Sequence, residues 1–346
     1  MTAAPRHSRR GIVVPFLIVG LLLAAWTGWW FFLAQQIETR LAAQAEGLRQ
    51  QGWTVRYARA TTTGWPFRAR VALPHAEIIT PSGHGVSAPE LVAEANAYAP
   101  DRWVVIAPNG LTVHRADKGE VAVRADTVRM SVSRLTARFP DLRIEAVKPV
   151  FTPHTGSDPF PISSAERIQF YARPHLTDGK AVTDQMDVKF MLTDARGRAG
   201  GPVEGATQQG RLTADIEATL EQASRLQGPD AQGVFMNWTR EGGRFTAVRG
   251  ELSAGESRAL LSSDALTAGA DGRLAGEVAL EAEKPLSAIA GLARSGSGAV
   301  NRVGAAGAAA ATAATGGSED VKLTVVFRDG RTWLGPFALA PAPKLF

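Results

Sequence analysis

Six histidines and no cysteine bound the chemistry open to this 346-residue chain. Without a thiol there is no catalytic cysteine, no thiolate metal site and no disulfide framework. No H-E-x-x-H sets two histidines on one helix face. No G-x-S-x-G makes a nucleophile elbow, and no P-loop cradles a phosphate. His75 and His84 are the closest pair in sequence, but turn residues flank both, and two such histidines ordinarily face solvent. Carboxylates are plentiful, yet no pair is singled out by its surroundings. Carboxylate-pair enzymes leave little sequence trace, so a periplasmic hydrolase stays possible in principle, as the third reading. The sequence names no catalytic, cofactor-binding or metal-ligating residue.

The aromatic residues say more. Trp53, Trp65, Trp103, Trp238 and Trp333 lie in the polar part of the chain. Each either packs in the core or rim with its indole N–H satisfied, or lines an apolar groove. Gly64-Trp65-Pro66-Phe67 is the short phrase whose residue types specify geometry. Pro66 restricts Trp65 to extended backbone, and Gly64 permits a turn just before it. Two apart in an extended chain, Trp65 and Phe67 point to one face. They are expected either in a closed core or on the floor of an apolar groove near its membrane end.

The element that must position all of this is the charge-free run Gly11–Ala34. At about 1.5 Å per residue it spans roughly 36 Å as a helix, enough for a hydrocarbon core of about 30 Å with some tilt. Arg6, Arg9 and Arg10 precede it, and mixed charges follow, so the positive-inside rule leaves residues 1–10 as a cytoplasmic tail. Trp26, Trp29 and Trp30 cluster at the exit end as a membrane-interface belt. A cleaved signal peptide competes, with Ala43-Gln44-Ala45 as its site. The apolar run is much longer than a signal h-region, and the site lies well beyond its end. The expected location is the inner membrane, single-pass, with the C-terminal domain in the periplasm. Residues 35–51 continue as a stalk helix, with Ile37, Leu41, Ala45 and Leu48 as a narrow stripe and Gly52 as its C′ glycine.

The remaining chain has ordinary hydrophobic content for a folded domain. The whole chain's net charge of +5 comes mostly from dispersed arginines rather than a basic stripe, which argues against nucleic acid and suits a surface beside anionic lipid. From Trp53 the hydrophobic period is two. Alternating runs at Phe67–Leu73, Leu91–Tyr98, Val104–Ala107, Leu111–His114, Val121–Val132, Leu142–Val147 and Met186–Leu192 read as strands with one buried face. Pro74 closes a strand or marks an edge. Residues 149–161 are Pro-rich and read as a loop, and 196–210 as a Gly-rich connection where the domain could subdivide. Gly210-Arg211-Leu212 and Gly272-Arg273-Leu274 each open a strand, with Leu220–Leu226 and Pro285–Arg294 as the helices that follow. Phe235–Trp238 reads as a short strand in a meander. Residues 295–318 have hardly any large side chain; they are expected to be a flexible insertion, or partly helical around Ala305–Ala314, to bury little and to be replaceable by a Gly/Ser linker. Val321–Phe327 and Trp333–Leu339 form a last hairpin around Asp329-Gly330.

Gly52-Trp53, Gly64-Trp65-Pro66-Phe67 with its Arg-alternating strand, Tyr98-Ala99-Pro100, Gly272-Arg273-Leu274 and Leu334-Gly335-Pro336 together resemble the bacterial domain of unknown function 2125 family. The resemblance covers nearly the whole chain. It implies one N-terminal membrane helix and a β-rich envelope domain, distantly similar to AsmA-like proteins, whose curved sheets expose an apolar groove and are implicated in phospholipid traffic. It implies no catalytic residue. The fold expected is β-dominated α+β: a membrane helix, then a large, mostly antiparallel curved sheet over residues 52–346 with few short helices. The function expected is non-enzymatic handling of a lipid or other apolar envelope component. The alternative is a structural or assembly partner of an envelope protein complex.

Overall fold

The computed structural model describes residues 10–228, 230–296, 300–314 and 320–345. Residues 1–9, with Arg6 and Arg9, and parts of the 295–318 segment lie outside them. Helix α1, Arg10–Gln50, is unbroken, so the expected anchor and stalk are one helix with Pro15 inside it. Gly52, at φ +86°, ends it. The Gly52 N–H donates to Arg49 O and the Trp53 N–H to Leu48 O, the two bonds of a Schellman cap. Among the described residues α1 is the one helix long and apolar enough to cross a membrane. The stalk part packs on its own domain. Arg49 Nε donates to Val55 O at 2.9 Å, and Glu38 Oε1 accepts from Thr62 N at 3.2 Å.

The strands after the helix form one antiparallel sheet and follow chain order. Strands β1 (Thr54–Arg56) and β2 (Thr61–Thr63) pair side by side along β3 (Arg68–Ile79), which pairs with β4 (Gly85–Asn96). Next come β5 (Ala99–Ile106) with β6 (Leu111–Arg115), β7 (Gly119–Arg124) with β8 (Thr127–Ser133), β9 (Asp141–Val147) with β10 (Val150–Pro153), and β11 (Ile162–Ser164) with β12 (Arg167–Thr177). Each of these pairs is one long strand creased in the middle. β4 therefore bonds both β5 and β6, and β13 (Lys180–Gly197) both β11 and β12. Strands β14 (Leu212–Glu221), β15 (Phe245–Ala254), β16 (Ser257–Ala268), β17 (Leu274–Glu283), β18 (Asp320–Arg328), β19 (Arg331–Leu334) and β20 (Phe337–Pro341) complete the meander. The sheet runs without a break past residues 196–210. Pro74 sits inside β3, not at its end. It occupies the gap between β1 and β2, where its carbonyl accepts from Ala58 N and a missing N–H costs nothing.

Sheet twist explains a contact between distant parts. About seven neighbour steps from β3 to β14, at roughly 20–25° each, turn the strand direction by roughly 140–175°. The segment after β14 is thereby carried back to the β3–β4 turn. There Asp230, the N-cap of α3 (Ala231–Arg240), accepts from Gly233 N at 2.8 Å and lies against Ser82 and His84. Those bonds hold the Asp230 carboxyl below the usual carboxylate range, the Gly233 N–H contributing most.

Several local expectations need correction. Phe235–Trp238 is not a strand; it belongs to α3, where Phe235 and Trp238, three apart, face the sheet together. Leu220 and Glu221 end β14, and only a 3₁₀ turn, Ala223–Arg225, follows them. The 196–210 connection contains α2 (Pro202–Thr207), and residues 150–153 of the Pro-rich loop pair as β10. Val121–Val132 is two strands, broken at Ala125-Asp126. Pro285–Arg294 is helix α4.

The largest correction is α5 (Arg302–Ala314), in the segment read as unable to bury surface. Gly304, Ala305, Ala308 and Thr312 are buried in it. Ala308 packs with Ile289 and Leu334, and a methyl on Gly304 would lie 2.0 Å from Ala338 O. Small side chains here let backbones approach, so a Gly/Ser linker would not replace this helix. The remainder of 295–318 lies partly outside the described residues.

Candidate functional site

Directly paired residues of an antiparallel sheet share a face, so the register sorts every side chain. Val105, Met130, Ile144, Phe170, Phe190 and Ile216 form one unbroken cross-strand row. It continues to Ala93 and Val71 on one side, and past Gly250 to Leu261, Leu280 and Leu323 on the other. On the same face a parallel row holds Val128, Ala146, Ile168, Leu192, Ala214 and Leu252. A third runs from Ala69 through Ala95, Trp103, Val132, Leu142 and Ala172 to Val188.

This apolar face is covered at two places. Trp238 of α3 packs on Leu220 and Phe245, joined by Phe139 from the β8–β9 turn. Helices α4 and α5 cover β16–β20, leaving beneath α4 a cavity of about 190 Å³ lined by Leu280, Ile289, Leu292, Leu323 and Val325. Away from these covers, toward β9 and β13, the row is open: Ile144 is 40% and Phe190 38% exposed.

The opposite face is polar and tied by ion pairs. At its centre the Glu145 carboxylate is buried. It accepts from Gln169 Nε2 at 2.9 Å and Arg129 Nε at 2.6 Å, with Arg143 and Arg167 beside it. Burial pushes this carboxyl up, but the Arg129 hydrogen bond and the three guanidinium charges outweigh it and hold the group below its ordinary range. A depression of about 540 Å³ on this face is lined by Tyr171, His175, Asp187 and Lys189. His175 Nδ1 lies 2.6 Å from Asp187 Oδ1, which also accepts from Thr219 at 3.2 Å. The hydrogen bond to Asp215 raises the Lys189 ammonium's pKa, which keeps it protonated.

The nearest approach to a nucleophile constellation is Ser87–His114–Glu120, with His114 Nε2 2.7 Å from Ser87 Oγ and Nδ1 3.1 Å from Glu120 Oε1. Glu120 Oε2 also meets His154 at 3.0 Å. Ser87 is mid-strand, paired with Glu77 and Thr112, so its backbone N–H serves the ladder and not an oxyanion hole. The row reads as a cross-strand polar ladder. His75 and His84 are not brought together, and among the described residues no group of three or more His, Asp or Glu could hold a metal ion. Apart from Arg143 beside Glu145 on β9, these partnerships were not readable in sequence, since they join segments distant along the chain.

Gly64-Trp65-Pro66-Phe67 forms the β2–β3 turn, with Gly64 at φ +102° and the Trp65–Pro66 peptide bond cis. Phe67 O accepts from Ala97 N at 2.9 Å, which sets the β4–β5 turn beside it. Trp65 is 48% exposed and Phe67 65%, which overturns the closed-core version of this phrase; the strand begins only at Arg68. The three helix tryptophans divide. Trp26 Nε1 donates to Pro66 O and Trp30 Nε1 to Arg68 O, both at 2.8 Å, while Trp29 faces outward. Trp30 packs against Ala34 and Ala97. Of the other tryptophans, Trp103, Trp238 and Trp333 donate their indole N–H to Pro100, Glu221 and Arg328 carbonyls.

The chain matches no curated protein and no solved structure. One family does match, over residues 30–343, from the end of the apolar run to the final strand. With that span the protein belongs to the family described as "Uncharacterized protein conserved in bacteria (DUF2125)".

Proposed function

We propose that this protein is a non-enzymatic, membrane-anchored envelope protein that holds a lipid or similar apolar molecule against the apolar face of its sheet. The observation that carries this reading is the unbroken cross-strand row from Val71 to Leu323, whose middle is left open at Ile144 and Phe190. Exposed apolar rows cost free energy, roughly 25 cal/mol per Å² left in water, so a face of this extent calls for an occupant. An acyl chain suits it: the face lacks charges, and the cavity beneath α4 extends it. Among the described residues the polar face offers ion pairs and no group of three or more His, Asp or Glu that could hold a metal ion.

The test uses the full-length protein in its native membranes, with a photoreactive phenylalanine analogue at Phe190 or at Tyr171 on the opposite face. Irradiation is expected to attach lipid at position 190 and not at 171. Equal labelling at both, or none at 190, would remove the apolar face as the binding surface.

The location belongs to the same proposal: N-terminus in the cytoplasm, sheet in the periplasm. It is supported by Arg6, Arg9 and Arg10 before the apolar run. A reporter active only in the periplasm, fused after Phe346, is expected to be active. Activity of a cytoplasm-only reporter at the same site reverses the orientation.

A further inference from the structure

We propose that the β2–β3 turn and Tyr98 of the β4–β5 turn form a foot that inserts into the outer interface of the bilayer holding α1. The proposal rests on α1 being the membrane anchor. Its first support is a cluster of exposed rings. Phe67 and Tyr98 are 65% and 68% exposed and Trp65 nearly half. The two turns are held side by side by the Ala97 N–H to Phe67 O bond and by pairing of Arg68 with Asn96.

The second support is depth. A hydrocarbon core about 30 Å thick takes about 20 helical residues. Counted from Gly11, that reaches Trp30. The indole N–H groups of Trp26 and Trp30 grip the turn at Pro66 O and Arg68 O. The turn is therefore fixed at the boundary between acyl chains and headgroups. The charge-free run continues to Ala34, about 6 Å beyond Trp30, so the helix does not lift the turn clear of the membrane.

The third support identifies the occupant. Trp29, Phe31 and Phe32 are exposed on α1 at the same level. Helix and turn thus both present exposed rings at this level, the composition that settles at a membrane interface. Arg68 follows Phe67 and is largely exposed, its guanidinium paired at 3.8 Å with Glu94 and within reach of the headgroups. Aromatic residues that sequence alone assigns to the helix are replaced at the interface by rings from the domain, because two of the helix tryptophans are used to hold that domain down. Phe67 is two residues from Ala69, where the third apolar row begins, so the foot brings the apolar face to the bilayer surface.

The chain has no cysteine, so single labels are clean. Leu23→Cys, Phe67→Cys, Tyr98→Cys and Asp117→Cys full-length variants would carry an environment-sensitive fluorophore in phosphatidylethanolamine/phosphatidylglycerol vesicles with brominated acyl chains. Both ring positions are exposed, so labelling them is compatible with folding. Labels at 67 and 98 are expected to be blue-shifted and quenched by bromine, as at 23. The label at 117, on the β6–β7 turn at the other end of the strands, is expected to report water. Water-like labels at 67 and 98 with quenching at 23 overturn the foot and keep the anchor. A water-like label at 23 overturns both. A blue shift at 67 and 98 without bromine quenching assigns the rings to a protein contact and overturns the foot.

Discussion

Trp238→Ala is expected to destabilise the full-length protein by about 3–5 kcal/mol, the range for deleting a large aromatic from a core. Trp238 is fully buried, between Phe235 at 6.3 Å and Phe245 at 5.0 Å ring to ring. Its Nε1 donates to Glu221 O at 2.6 Å, so the substitution also strips a partner from a strand-end carbonyl. The neighbourhood is built around the ring: a methyl on Gly243 would lie 2.3 Å from it, and that glycine has no side chain to fill the gap. Trp238→Phe keeps most of the volume and loses the hydrogen bond, for an expected cost of about 1–3 kcal/mol. Urea unfolding in detergent micelles, read as a shift in midpoint at constant slope, measures both. A loss below about 1 kcal/mol for the alanine variant would show that α3 is not part of the cooperative core.

The second large effect belongs to Glu145. Removing one partner of a buried ion pair costs about 3–5 kcal/mol. Arg129, Arg143 and Arg167 are two-fifths to half exposed and can turn to water, so Glu145→Ala is expected near 3 kcal/mol, the lower end. The pH dependence has a definite sign. The folded carboxyl titrates below its ordinary value of 4.5. Its contribution is therefore complete above that value and lost as pH falls through the folded pKa. Asp230, also held low, acts in the same direction. Melting temperature followed from pH 7 down through the carboxylate range is expected to fall more steeply for the wild type than for Glu145→Gln. Parallel curves would mean that Glu145 gains nothing from its arginines.

The chain by itself determined everything that rests on local periodicity. A charge-free run specifies one long apolar helix, and period-two alternation specifies strands with one apolar face. Gly52 specifies where the helix stops, because a Schellman cap needs positive φ. Local signals failed where packing outweighs propensity. Phe235 and Trp238 have strand-like composition, but Asp230 caps a helix there that can seat both rings on Leu220 and Phe245. Residues 302–314 looked too small to bury anything. Their value lies in close backbone approach, as it does where Gly205 and Gly291 bring α2 and α4 together, a methyl on Gly291 falling 1.9 Å from Gly205 O.

Only the tertiary structure decided what sits beside what. Alternation says that Ile144, Phe170 and Phe190 are apolar positions. The register decides that they form one row, and a one-residue slip would have scattered them to opposite faces. It equally decides that Glu145 meets Arg129 and that His114 meets Glu120. The Trp26 and Trp30 bonds to the β2–β3 turn join residues about forty apart along the chain, and they make a clamp of two tryptophans that were expected only as an interface belt. The physical reason is common to all of these. Helix and strand periods are set by each residue's own backbone, whereas pairing, twist and burial are set by residues that local sequence cannot see.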